Sequence, residues 1–206
     1  MRILIACEES QVVCKAFRAK GHEAYSCDII DCSGGHPEWH YKCDVMEKLD
    51  HLDLSWDMLI AFPPCTYLSN AGACRLYPTK GNIDQARYEK GMEAKAFFMR
   101  LLKSGFPRIC IENPVSSKVF KMPIHSQEIQ PYQFGHPFTK KTRLWLKCLP
   151  FLEDTNLVEP QGPYVPAGTG RKDKSKYGAA KRAGGDAINR SKTFQGIADA
   201  MADQWG

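Results

Sequence analysis

The stretch "RILIACEESQVVCKAFRAKGHEAYSCD", Arg2 to Asp28, decides the fold. "RILIAC" is a short apolar run with β-branched residues, the pattern of a strand covered on both faces in a parallel sheet. "SQVVCKAFRAKG" then spaces Val12, Val13, Ala16, Phe17 and Ala19 along a helix, with Ser10 placed as its N-cap and Gly21 as its stop. "EAYSCDI" returns to strand character and ends near Asp28. Strand, helix and strand in so short a span make a βαβ unit, whose two strands run parallel.

The alternation continues outward. "HYKCD" is a short extended stretch ending at Asp44, "WDMLIAF" a strand, and Asp84 to Ser104 a long helix that Gly105 ends. "RICIE" and "TRLWLKC" are further strands, and "SKTFQGIADAMADQWG" closes the chain as a helix with Ile197, Ala198, Met201 and Trp205 on one face. The expected fold is α/β: three layers, Rossmann-like, around a mostly parallel sheet. The 206 residues form a single domain, interrupted at about 150–189 by a Pro/Gly-rich basic insertion without apolar period.

Charge is concentrated in that insertion. Between Arg171 and Arg190 stand seven Lys or Arg against two Asp, a local +5 that equals the net charge of the whole chain. Such a cluster fits a polyanion, although a solvated basic loop has the same composition. The nine cysteines follow no disulfide framework, and no window approaches the roughly 20 apolar residues of a membrane span. With no signal peptide at Met1, a reducing, cytoplasmic setting is expected.

In open α/β sheets ligands lie beyond the carboxyl ends of the strands. There the chain carries Asp28, Asp44, the rigid Pro63-Pro64-Cys65 turn, and Glu112-Asn113-Pro114. A free cysteine alone reads as core, but a carboxylate closing an apolar strand must find water, a donor or a proton.

In this order the motifs resemble those of the DNA (cytosine-5) methyltransferases. Pro63, Pro64 and Cys65 match the family's catalytic loop, with Ser69, Ala71 and Gly72 beyond; Glu112 and Asn113 match its Glu-Asn-Val strand end, Pro114 replacing the valine. "FGHPFTKKTRLWL" resembles its Gln-x-Arg-x-Arg segment, with Lys141 and Arg143 at the basic positions, and "RSKTFQGIADAMA" its closing motif, with Ser191 at the Asn.

The resemblance implies a class I methyltransferase fold and an S-adenosylmethionine-type donor. It makes Cys65 the nucleophile toward carbon 6 of a flipped cytosine, Glu112 the group at ring nitrogen N3, and Arg143 the cation at the base's carbonyl oxygen. Asp28 would accept from the ribose and Asp44 from the adenine amino group, with Ser10, Pro63, Ser191 and Lys192 completing the cofactor site. The expected DNA contacts are Ser69, Lys141, Arg171, Lys172, Lys174 and Arg190.

Two departures qualify it. The family's glycine-rich turn after the first strand is replaced by Cys7-Glu8-Glu9-Ser10, where only Ser10 and the helix N-terminus offer donors to a ligand carboxylate. No long recognition domain stands between Arg143 and the closing motif, so a partner or the basic insertion must supply sequence recognition. Arg190 and Lys192 fit phosphate or helix-end contacts, or a carboxylate on a donor such as carboxy-S-adenosylmethionine. Alternatives are an inactive DNA-binding accessory protein, action on a free pyrimidine nucleotide, and zinc held by Cys27, Cys32, His36, His40 and Cys43.

Overall fold

The computed structural model describes residues 1–50, 56–70, 73–79, 81–164 and 191–206. Its strands are β1 (Arg2–Ala6), β2 (Glu23–Asp28), β3 (His40–Lys42), β4 (Met58–Ala61), β5 (Arg108–Pro114), β6 (Gln127–Ile129) and β7 (Thr142–Lys147). Its helices are α1 (Val12–Ala19), α2 (Val45–Asp50), α3 (Ala73–Leu76), α4 (Gln85–Leu102) and α5 (Gln195–Trp205). The strands make one open sheet in the order β3-β2-β1-β4-β5-β7-β6. β1 to β5 pair in parallel, and β7 is antiparallel to both β5 and β6.

Alternation along the strands builds two apolar layers. Ile3, Ile5, Met58 and Ile60 pack with Val13 and Phe17 of α1 and with Ile197, Met201 and Trp205 of α5. Leu4, Ala6, Leu59, Ile109 and Ile111 pack on the other face with Phe98 and Leu101 of α4 and with Trp145 of β7. An α/β sheet covered on both faces is therefore present, with its order reversing between β1 and β4. At that reversal the chain leaves β4 into Pro63-Pro64-Cys65, where ligands of such sheets collect.

α4 begins as read, with the Asp84 side chain accepting from the Arg87 amide at 2.9 Å. One expectation needs correction, and the structure adds elements to the reading. Ser10 does not cap α1: the flanking residue is Gln11, at φ 58°, and the Gln11 side chain makes no capping bond. β6, α2 and α3 were not read from the sequence. The first, irregular part of the insertion is anchored to the sheet: Leu152 is buried and exchanges 2.7 and 2.8 Å hydrogen bonds with the Gln127 side chain, while Gly135 donates to the Asn156 carbonyl at 2.7 Å. Among the described residues no helix is long and apolar enough to cross a membrane.

Candidate active site

The Pro63-Pro64-Cys65 turn is tied to the end of β5. Pro63 is buried, and its carbonyl accepts from the Asn113 side chain at 3.4 Å. Beyond the half-buried Cys65, the amides of Leu68 and Ser69 turn back onto the Cys65 carbonyl at 3.1 and 2.8 Å. The next residues pair with the segment after β5: Asn70 donates to Val115 at 2.7 Å, Ser117 to Leu68 at 2.8 Å, and Ser69 forms a bridge with Ser116. Backbone hydrogen bonds thus lock the two motifs together.

Glu112 lies on the β5 face that carries Cys110, opposite Leu144 of β7. Burial pushes its carboxyl up from the ordinary range, while the Lys140 charge and a hydrogen bond with the Thr142 side chain pull it back. The same surroundings act on Cys65. Burial and then the Glu112 charge push the thiol up, and Lys140 opposes them. Three groups therefore share one field, and protonation of Glu112 removes a repulsion that holds Cys65 as a thiol. Glu112, Lys140, Thr142, Phe62 and Ser191 line a cavity of about 20 Å³.

Arg143 does not join them. It sits between Asn113 and Glu128 in the ladder, one residue out of phase with Thr142 and Leu144, and its guanidinium pairs with Glu128 at 3.0 Å. Lys141 reaches the same carboxylate at 3.3 Å. The cation that acts on Glu112 and Cys65 is Lys140, whose ammonium lies 5.8 Å from the Phe194 ring centre. Period-two alternation through Thr142, Leu144 and Leu146 was the available signal.

At the turn after β1, Glu8 replaces the missing glycines in an unexpected way. Its carboxyl is buried and accepts from the Val13 and Cys14 amides at 2.7 and 3.2 Å, taking donors at the start of α1. Burial outweighs these bonds and raises its pKa to about 7. These amides are consequently engaged, which corrects the expectation that the helix start would receive a ligand carboxylate. Ser10 is buried nearby.

Asp28 and Asp44, by contrast, come together. They line a cavity of about 220 Å³ with Cys7, Cys27, Ile29, Cys43, Val45, Pro64 and Phe97. This is below the roughly 300–1,000 Å³ of a pocket for a whole drug-sized ligand, and suits one end of a longer molecule. Two carboxylates in an otherwise apolar cleft provide acceptors for hydroxyl and amino groups of a ligand. Lys192 reaches Ser33 at 3.5 Å, in the segment after β2, and the Ser33 hydroxyl is hydrogen-bonded to Glu9.

The cysteines and histidines considered for zinc do not converge. Cys27 and Cys43 approach to 3.8 Å, but His40 contacts Ser26 and the Ile30 carbonyl, while His36 stacks on Trp39 beside Glu38. Among the described residues no group of three or more His, Cys, Asp or Glu could hold a metal ion. Ala71, Gly72, Arg171, Lys172, Lys174 and Arg190 lie outside the described residues. Residues on either side of the basic stretch do meet: Tyr164 and Phe194 pack edge to face at 4.7 Å, and Phe194 lines the Glu112 cavity. Comparison with known protein families gives no matching family model, and comparison with curated proteins gives no significant match.

Proposed function

We propose that the chain modifies carbon 5 of cytosine in DNA, as a methyltransferase-like enzyme that attacks the base through Cys65. The observation that carries this reading is the locked pair of motifs, with Glu112 and Lys140 both acting on the thiol. Carbon 5 of cytosine is a weak nucleophile. Bond formation between Cys65 Sγ and carbon 6 pushes electron density into the ring, and uptake of a proton or hydrogen bond at N3 makes carbon 5 enamine-like. Burial favours the protonated form of Glu112, which can offer that proton or hydrogen bond, and the protonated form relieves the repulsion on the Cys65 thiolate. Lys140 takes the place first given to Arg143, as the cation toward the carbonyl oxygen of the base.

Asp28 and Asp44 would hold the nucleoside end of an S-adenosylmethionine-type donor, with Pro63, Ser191 and Lys192 toward its reactive end. Bound there, the donor supplies an electrophilic carbon on a sulfonium. After transfer, loss of the carbon 5 proton and departure of the Cys65 sulfur restore the aromatic base. DNA is the favoured substrate because the seven basic residues in the stretch after Tyr164 leave and rejoin the described chain beside the Glu112 cavity.

The test is mass analysis of nucleosides from DNA incubated with the protein and S-adenosylmethionine. Modified cytosine with the native chain and none with Cys65→Ser supports the reading; unmodified DNA with every donor tried refutes it. Lys192 and the occupied start of α1 favour a second reading in which the donor carries an extra carboxylate, as in carboxy-S-adenosylmethionine. Carboxymethylcytosine as the main product would support that reading, and efficient methyl transfer with no carboxymethyl product would contradict it.

A further inference from the structure

The candidate nucleoside cavity contains a thiol pair that the chemistry above does not use. Cys27 is buried in β2, and Cys43 follows the last residue of β3. The parallel ladder sets Cys27 beside Tyr41 and Asp28 beside Lys42, and the Cys43 amide continues it by donating to the Asp28 carbonyl at 3.0 Å. Backbone pairing thereby fixes the two side chains with their sulfurs 3.8 Å apart. Both line the cavity, and each directly precedes one of its two carboxylates: Asp28 follows Cys27 and Asp44 follows Cys43.

We propose that Cys27 and Cys43 form a reversible disulfide that closes this cavity to its ligand. The half-buried Cys43 meets the oxidant first. With hydrogen peroxide, its sulfur takes one oxygen to become a sulfenic acid and one water leaves; Cys27 then attacks that sulfur, and a second water leaves as the disulfide forms. Two thiols are oxidised and one peroxide is reduced to two waters. A bonded S–S distance is about 2.05 Å, so closure from contact distance draws the end of β3 toward β2 and changes the spacing of Asp44 from Asp28. Because Cys43 faces a cleft open to solvent, a small thiol can reach the bond and reverse it, as for labile rather than structural disulfides. The ligand half of the proposal rests on reading the cavity as a nucleoside site; the disulfide half does not.

The experiment uses the full chain, reduced and then treated with hydrogen peroxide or oxidised glutathione, with S-adenosylhomocysteine as the binding probe. Peptide mapping by mass spectrometry is expected to find a Cys27–Cys43 cross-link that dithiothreitol removes and bound probe suppresses. Calorimetry is expected to show probe affinity lowered roughly tenfold or more by oxidation. Cys43→Ser is expected to form no Cys27 cross-link, and its probe affinity, whatever its starting value, is expected to be the same before and after oxidant. No cross-link, or one between Cys27 and Cys7, overturns the proposal, and a correct cross-link with unchanged affinity overturns cavity closure. If the reduced protein does not bind the probe, the nucleoside reading and the ligand half both fail, and the peptide map still decides the disulfide.

Discussion

Replacing Glu8 by Gln tests what occupies the turn that usually receives a ligand. Glu8 is buried against the amides of Val13 and Cys14, and its pKa rises from the ordinary 4.5 to about 7. The folded protein therefore holds a proton between about pH 4.5 and 7 that the unfolded chain has released. Stability from this group is fully present below about 4.5 and is lost as pH rises through about 7, at a cost of about 3 kcal/mol once ionisation is complete. Glu8→Gln cannot ionise, but it offers one acceptor to two amides, which costs about 1 kcal/mol at all pH values. Denaturant unfolding at pH 4.5 to 8.5 is expected to give crossing curves, the variant being less stable in acid and about 2 kcal/mol more stable at pH 8.5. Parallel curves would show that Glu8 does not titrate in this window, and a variant weaker by the same amount throughout would refute the balance of burial over capping.

Further outcomes follow from the site. Lys140→Met removes the charge that lowers the Cys65 pKa, so alkylation of Cys65 by iodoacetamide at pH 8, followed by peptide mass analysis, should slow; Glu112→Gln removes a charge that raises it, so alkylation should accelerate. Asp28→Asn and Asp44→Asn should each weaken S-adenosylhomocysteine binding roughly tenfold while leaving the melting temperature within a few degrees, since each loses one charged acceptor in a half-open cavity. Gly91→Ala should destabilise the fold by about 1–3 kcal/mol in denaturant unfolding, because an added Cβ would stand 2.3 Å from the Phe120 ring.

The strands that support the site were legible because they are covered on both sides. β1, β4 and β5 appear as unbroken apolar runs, and α1 and α5 show apolar stripes because the sheet covers only one side of each. β6 was not legible: it has three residues, and only Ile129 is buried among them. The anchoring of the insertion's first part was not legible, because it rests on amide side chains and backbone groups, through Gln127, Leu152 and Asn156, which leave no apolar period.

Legibility of the candidate site divides in the same way. Asp28, Asp44 and Cys65 stand at or beyond strand ends, which could be placed from the apolar runs, and Glu112 closes the apolar part of β5, although the strand itself continues to Pro114. Arg143 was chosen over Lys140 on the motif resemblance, although the alternation of β7 from Thr142 onward already sets Arg143 on the face opposite Thr142 and Leu144. In the sequence Glu8 stands only as one of the residues in place of a glycine-rich turn. Only the fold shows it as the helix's own acceptor, because its partners lie five and six residues further along the chain.

Reaction with DNA containing 5-fluorocytosine tests the central claim most directly. A fluorine at carbon 5 cannot leave as a proton does, so an enzyme that bonds to carbon 6 and transfers its group remains attached to the strand. The account predicts a donor-dependent covalent complex, stable to denaturing electrophoresis, whose cross-linked peptide contains Cys65, with none from Cys65→Ser. No complex from the native chain with either donor, or one that persists in Cys65→Ser, would contradict it.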